Sequence, residues 1–205
     1  NNVGYGKNAI QKAASSGGNV AVGDSALKEL TYDGNSYNVA IGHNAGLNLT
    51  NAAYTTLVGG FTGDGYDTEN HNTAVGYNAL GGSVAGGEYN TALGSYTLDA
   101  TTSGDNNTAV GYQALTTHTT GTSNTAVGYQ AMSAGNITGN YNTAIGVQAS
   151  NNATSGQNNT SLGYSAANDA VYSLTNESHR IVIGNNNNTD AYIKIDWTVT
   201  SDARD

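Results

Sequence analysis

The chain has 205 residues and a formal net charge of −9. Leu, Ile, Val and Phe together supply 33 residues, a share too small for a domain that depends on one large hydrophobic core. The negative charge is too mild for a disordered chain of this length, so some other principle must order it. No Lys or Arg lies between Lys28 and Arg180, which argues against nucleic acid and other polyanions as partners.

Several other features are missing from the sequence. Cys is absent, so disulfides make no contribution and the sequence does not indicate an oxidising or a reducing compartment. No window approaches 18 apolar residues and the N-terminus lacks a basic and then apolar pattern, so we expect neither membrane insertion nor a signal peptide. Because the chain opens inside a repeat at Asn2, we interpret it as part of a longer protein.

The sequence is dominated by a repeat, which decides the architecture. Copies such as NTAVGYNAL (72–80) and NTAVGYQAL (107–115) share a glycine that recurs every 17 to 21 residues. The repeated glycines are Gly6, Gly23, Gly42, Gly59, Gly76, Gly94, Gly111, Gly128, Gly146, Gly163 and Gly184.

Each repeat predicts a strand, a bend, a second strand and a loop. In the segment Thr73–Val75, Thr and Val point to one face and Ala74 to the other. The glycine permits a tight bend, a second short strand such as 112–115 follows, and Gly, Ser, Thr, Asn and Asp then form a loop. Stacked at about 4.8 Å per rung, the repeats predict an all-β, parallel β-solenoid or β-roll of about eleven 17-residue rungs.

Aligned repeats also predict ladders of identical side chains. One asparagine and one threonine align in most repeats, and stacked amides can hydrogen-bond from rung to rung. Because a single coil encloses only a thin core, we expect a second face to be buried between chains in an intertwined or side-by-side homotrimer. We assign residues 1–179 to the solenoid and 180–198 to a C-terminal β-strand cap, in which 191–197 alternate as a strand.

The N-T-A-[VI]-G-x-x-A units resemble the head repeats of trimeric autotransporter adhesins, which also occur in phage tail fibres. The resemblance covers about residues 2–184. It implies a left-handed, trimeric β-roll that is extracellular and mediates attachment.

The C-terminal residues TVTSDARD (198–205) resemble the opening of the endosialidase-type intramolecular chaperone domain of phage fibres and spikes. This resemblance implies that 199–205 begin a cleavable chaperone domain, with Ser201 and Asp202 at its processing site. It favours a bacteriophage tail fibre, located on the virion, that attaches to the host surface. A bacterial trimeric surface adhesin is the alternative, and the threonine ladder raises an ice-binding solenoid as a third possibility.

Tyrosine is the one abundant aromatic residue, with 14 copies. Sugars dock on aromatic faces and hydrogen-bond to phenols, so exposed rings would suit a receptor such as a host glycan or an outer-membrane protein. The same rings would alternatively cap the thin core or stack on one another. The candidate contacts are Tyr77, Tyr112, Tyr129 and Tyr164 after the repeat glycine, and Phe61 and Tyr66 in the irregular loop 60–71.

The loop 60–71 also carries the acids Asp64, Asp67 and Glu69, which are candidate Ca²⁺ ligands by type. Their spacing departs from the standard calcium loop, so we expect a solvated loop and no cofactor. No metal motif links the four histidines, which we expect to be surface loop residues: His43, His71, His118 and His179. Paired carboxylates and a nucleophile motif are also absent, so we expect no enzymatic activity.

Overall fold

The computed structural model describes residues 1–65, 68–82, 87–135, 137–168 and 174–188. Within them the fold is all-β, with one parallel sheet of eleven strands and a second sheet of two short strands. The strands are β1 Val3–Tyr5, β2 Ser16–Gly17, β3 Val20–Val22, β4 Gly34–Asn35, β5 Val39–Ile41, β6 Thr56–Val58, β7 Thr73–Val75, β8 Thr91–Leu93, β9 Thr108–Val110, β10 Thr125–Val127, β11 Thr143–Ile145, β12 Thr160–Leu162 and β13 Ile181–Ile183.

The large sheet is a solenoid, because its strands are neighbours in chain order once the short β2 and β4 are set aside. We call each large-sheet strand, with the turn and loop that follow it, a rung. Thr125 pairs with Thr108 on one side and with Thr143 on the other. The register therefore ignores differences in loop length, and the predicted parallel β-solenoid is confirmed. The last rung, β13, lies inside the segment 180–198.

The core is thin and made mostly of alanine. In β7 the central residue Ala74 is fully buried, whereas Thr73 and Val75 on either side reach the outer surface. Ala79 and Leu80, from the turn that follows, are buried opposite the sheet. Small residues let the two walls approach closely, so each rung buries little apolar area and needs its neighbours to be stable.

The predicted second strand is wrong, because the residues after the repeat glycine form a turn. Gln113 and Leu115 have positive φ angles of 55° and 52°. Their N–H groups consequently point to different rungs: Gln113 donates to the carbonyl of Ser95 at 3.1 Å and Leu115 to that of Ala131 at 3.0 Å. A left-handed backbone conformation at leucine is costly and rare. Nothing in the sequence Tyr-Gln-Ala-Leu of residues 112–115 indicates that it occurs.

A ladder of buried asparagines runs along the inside of the solenoid. Each Oδ1 accepts the backbone N–H at the matching position of the next rung, at 2.8 to 3.0 Å. Each Nδ2 donates to a loop carbonyl, at 2.7 to 3.1 Å. The asparagine ladder consists of Asn19, Asn38, Asn72, Asn90, Asn107, Asn124, Asn142 and Asn159.

The ladder works mainly through the backbone, which corrects the expectation of stacked amides. A bond between two amides of the ladder occurs where Asn107 Nδ2 donates to Asn90 Oδ1 at 3.1 Å. The dominant pattern joins a side chain to the peptide groups of the next rung and of a loop. Each asparagine thus satisfies a buried N–H and a buried carbonyl, which would be costly to leave unpaired.

The repeat glycine is required by a close approach between rungs. Gly128 has a φ angle of 138°, and a Cβ placed on it would lie 2.4 Å from the carbonyl oxygen of Gly146 in the next rung. Any side chain would push the rungs apart and break the ladder around it. The glycine is therefore a spacing requirement of the stack as well as a bend.

We predict that Asn90→Ala lowers the free energy of unfolding by about 3 kcal/mol or more, because a buried N–H and a buried carbonyl lose their partners. Urea unfolding followed by far-UV circular dichroism measures the effect. Asn152→Ala, at an exposed position, is the matched control and should change stability by less than about 0.5 kcal/mol. Equal effects of the two variants would contradict the role given to the ladder.

Candidate functional site

The outer surface of the large sheet is the most distinctive surface of the described residues. The first and third residues of each strand face outward, and they form two columns. The first column is Val3, Val20, Val39, Thr56, Thr73, Thr91, Thr108, Thr125, Thr143, Thr160 and Ile181. The third-residue column is Tyr5, Val22, Ile41, Val58, Val75, Leu93, Val110, Val127, Ile145, Leu162 and Ile183. Neither column contains a charged residue.

A continuous row of aromatic rings follows the repeat glycines, and we call it the trailing aromatic column. Its ring centroids lie 5.2 to 5.9 Å apart, mostly edge to face. Phe61 and Tyr96 join the row from one position later, because Gly60 and Ser95 occupy the usual place. The trailing aromatic column consists of His43, Phe61, Tyr77, Tyr96, Tyr112 and Tyr129.

The structure brings most of the predicted aromatic candidates together in this column. Tyr77, Tyr112 and Tyr129 are exposed, and Phe61 is half-buried between its neighbours. Tyr164 is exposed on a later rung, beyond Val147, and makes no ring contact with the column. Tyr66 lies outside the described residues.

A second row of rings, the leading aromatic column, comes just before the buried asparagine position of each rung, which Thr55 occupies after Tyr54. It consists of Tyr37, Tyr54, His71 and Tyr89, with centroids 4.9 to 5.9 Å apart and ring planes within 20° of parallel. In a parallel stack the ring faces cover one another and the edges and phenol oxygens meet solvent. This column therefore offers a sugar fewer free ring faces than the edge-to-face members of the trailing column do. Tyr112 and Tyr129 of the trailing column, whose ring planes are 10° apart, likewise present mainly edges and phenol oxygens.

Side-chain amides lie beside the trailing column. Gln130 Nε2 donates to Gln113 Oε1 at 2.9 Å, and Gln148 Nε2 donates to Gln130 Oε1 at 3.2 Å. Tyr112 and Tyr129 immediately precede two of these glutamines. Aromatic rings next to amides provide both an apolar platform and hydrogen-bond groups, which is the chemistry that neutral sugars require.

The acidic candidates do not form a metal site in the part of the chain that the structure describes. No group of three or more His, Cys, Asp or Glu side chains there is arranged to hold an ion, and Asp67 lies outside it. Glu69 is buried, contrary to the expectation of a solvated loop, and its Oε2 accepts the N–H of Thr68 at 2.9 Å. Burial disfavours the charged form of the Asp64 carboxyl and raises its pKa, and the nearby Asp99 raises it further. Burial likewise raises the pKa of Asp99.

His118 is the residue that sequence reasoning missed. It was expected on the surface, yet its side chain is fully buried and its ring lies against the backbone of Gly104 and Gly121. Nε2 lies 3.3 Å from Nδ2 of Asn124 in the asparagine ladder, and Nδ1 has no hydrogen-bond partner among the described residues. Burial lowers the pKa of His118 to about 4, and the hydrogen bond to the Gly121 backbone opposes this only in part.

Comparisons of the chain with protein-family models, with curated proteins and with solved structures find no match. In the stretches that the structure describes, no helix has the length and hydrophobicity needed to cross a membrane.

We predict that His118 makes the solenoid sensitive to acid. The unfolded chain binds a proton at this side chain near pH 6.5, whereas the folded chain stays neutral until about pH 4. The unfolded state therefore binds more protons between these values, so stability falls as the pH drops from 6.5 towards 4, by about 3 kcal/mol.

Urea unfolding at pH 7, 5.5 and 4 measures this dependence, and the informative quantity is the difference between variants. His118→Leu should remove this part of the pH dependence, while His179→Asn, at an exposed position, should behave like the unchanged protein. A His118→Leu protein with the same loss of stability on acidification would refute the assignment.

Proposed function

We propose that this chain is a structural and receptor-binding segment of an extracellular bacteriophage tail fibre that attaches the virion to the host surface. The observation that carries the proposal is a repetitive rod whose two outward strand columns carry no charge and are flanked by rows of aromatic side chains on its middle rungs. Such a rod holds many copies of one binding surface at fixed spacing, which suits attachment.

The proposal is one of binding rather than catalysis. The outer columns present Thr, aliphatic and aromatic side chains, which can contact a receptor. They supply neither the paired carboxylates nor the activated nucleophile that catalysis would need. His118, the side chain with the most perturbed environment, is enclosed beside the asparagine ladder. Its position suits a role in stability.

A phage fibre is favoured over a bacterial surface adhesin by the resemblance of residues 198–205 to the chaperone domain of phage fibres. Those residues, including the proposed processing site at Ser201 and Asp202, lie outside the described residues. The bacterial adhesin is the alternative within the same class, and both are homotrimers exposed outside a cell or virion.

The receptor that we propose is a neutral host glycan or an outer-membrane protein. The absence of Lys and Arg between Lys28 and Arg180 disfavours strongly acidic polysaccharides, which need cations to bind. Tyr112 and Tyr129, through their exposed ring edges and phenol groups and the neighbouring glutamine amides, form the surface that we propose for a neutral sugar. Weak individual contacts would suffice, because three chains multiply the avidity.

An ice-binding solenoid is a second candidate, favoured by one specific observation. Seven successive rungs, from Thr56 to Thr160, carry an outward threonine in register. The variable loops leave this array regular. The array nevertheless lies on the same surface as the third-residue column, so it is free to bind ice only if the chain stays monomeric.

We predict a homotrimer in solution, with a mass three times that of one chain. The 205 residues of this sequence contribute 20.8 kDa to each chain. Light scattering on a size-exclusion column measures it, with the protein expressed from its full gene so that any assembly segment is present. A stable monomer would refute the fibre proposal, and thermal hysteresis would then test ice binding.

We predict that the pair Tyr112→Ala and Tyr129→Ala weakens binding to host cells or to a glycan array by at least about tenfold, because two exposed rings with their phenol hydrogen-bond groups are lost from each chain. Tyr141→Asn, which removes an exposed tyrosine from a position with a φ angle of 59°, is the control. Loss of binding in the control alone would place the receptor site elsewhere.

A further inference from the structure

The exposed large hydrophobic side chains of the described residues all occupy four repeat positions. These are the position before the buried asparagine, the first and third strand positions, and the position after the glycine. The residues are Val3, Tyr5, Tyr37, Ile41, Tyr54, Val75, Tyr77, Tyr89, Leu93, Tyr112, Tyr129, Tyr141, Ile145, Val147, Leu162, Tyr164, Ile181 and Ile183. Because these positions are close together in every rung, the residues form one surface, which we call the sheet face.

The sheet face is large enough to bury a complete protein interface. Eleven strands at about 4.8 Å each give a length of about 50 Å, and the strand with its two flanking positions is about 20 Å wide. The area of the four positions together, polar side chains included, is about 1,000 Å², which exceeds the roughly 800 Å² that each partner buries in a standard interface.

The two central columns are strictly uncharged, although the chain as a whole carries a net charge of −9. Two copies of this chain therefore carry like net charges. The two central columns of the sheet face add nothing to that repulsion, because their eleven first positions and eleven third positions contain only Thr, Val, Ile, Leu and Tyr; the charged Lys7 and Asp24 lie at the margin, after the repeat glycine. Like-charge repulsion therefore leaves this face as the one best suited to contact between copies.

The interval at which side chains recur along the sheet face favours one kind of partner. Aliphatic side chains recur once per rung, with in-register neighbours such as Val110 and Val127. A partner fills the hollows between them along the whole length only if its own side chains recur at the same interval. A second copy of this chain has that repeat by construction, whereas an unrelated globular protein does not.

We infer that the centre of the sheet face is covered by other copies of this chain, with the third-residue column as the main apolar contact. This inference rests on the proposed homotrimer and assigns it a surface. The trailing and leading aromatic columns form the two margins of the sheet face, so they line the edges of the interface. At those edges their phenol groups remain within reach of a receptor.

The test uses Val75→Glu together with Ile145→Glu, which place two charges in the third-residue column at side chains that are 40% and 41% exposed. The matched control is Ser103→Glu together with Asn152→Glu, at exposed positions away from the face. We expect light scattering to give a monomer for the first pair and the mass of the unchanged protein for the control pair.

A second measurement does not depend on dissociation. The chain has no cysteine, so Leu93→Cys on the face and Ser103→Cys away from it each introduce a single thiol. In the assembled protein we expect a bulky maleimide to react with the thiol at position 93 at least about tenfold more slowly than with the thiol at position 103, because the partner chain shields it. Comparable rates in the assembled protein would overturn the inference.

The outcomes separate the inference from the proposal on which it rests. A trimeric parent protein and a monomeric Val75→Glu/Ile145→Glu variant support both. If the parent, the control pair and the face variant are all trimers, the sheet face is not the interface, and the fibre proposal stands. A monomeric parent refutes both.

Discussion

The asparagine ladder is the interaction on which the rest of the structure depends. A coil with a core of alanine has little apolar area to hold its rungs together, so buried peptide groups must be satisfied by other means. Asn124 illustrates how this is done, since its Oδ1 accepts the N–H of Asn142 and its Nδ2 donates to the carbonyl of Gly139. One side chain thus joins two rungs and fixes a loop, and the repeat glycine keeps the rungs close enough for these bonds.

The narrow interior of the coil explains where the large hydrophobic residues lie. Inside the coil, alanine is favoured because the walls approach closely, as at Ala74 and Ala109, and larger residues such as Leu115 enter from the turn. The remaining aliphatic and aromatic residues are therefore displaced to the outer face of the sheet. A composition that is too poor for a globular core is therefore sufficient for a rod in which every rung pairs with its neighbours.

Much of the fold follows from the sequence, because period, strand pattern and glycine spacing are local signals that every repeat restates. The alternation in Thr73–Val75 correctly predicted that Thr and Val share one face and Ala74 the other, and the structure adds that the alanine face is the buried one. The turn at Gln113 and Leu115 was missed, because its left-handed residues are imposed by hydrogen bonds to rungs on both sides. His118 was missed for a related reason: a histidine among threonines looks exposed until the loop folds back onto the asparagine ladder.

The columns differ in how much variation they accept, and this separates stability from recognition. The repeat glycine and the buried asparagine scarcely change, because each is fixed by contacts with the next rung, as at Gly128 and Gly146. The position after the glycine instead changes from Lys7 and Asp24 in the first rungs to tyrosine in the middle ones. Side chains of different size and charge fit at this position, and where they are aromatic they contact rings of the neighbouring rungs. In the proposed fibre, specificity therefore belongs to the aromatic edges, and the uncharged centre of the sheet face serves assembly.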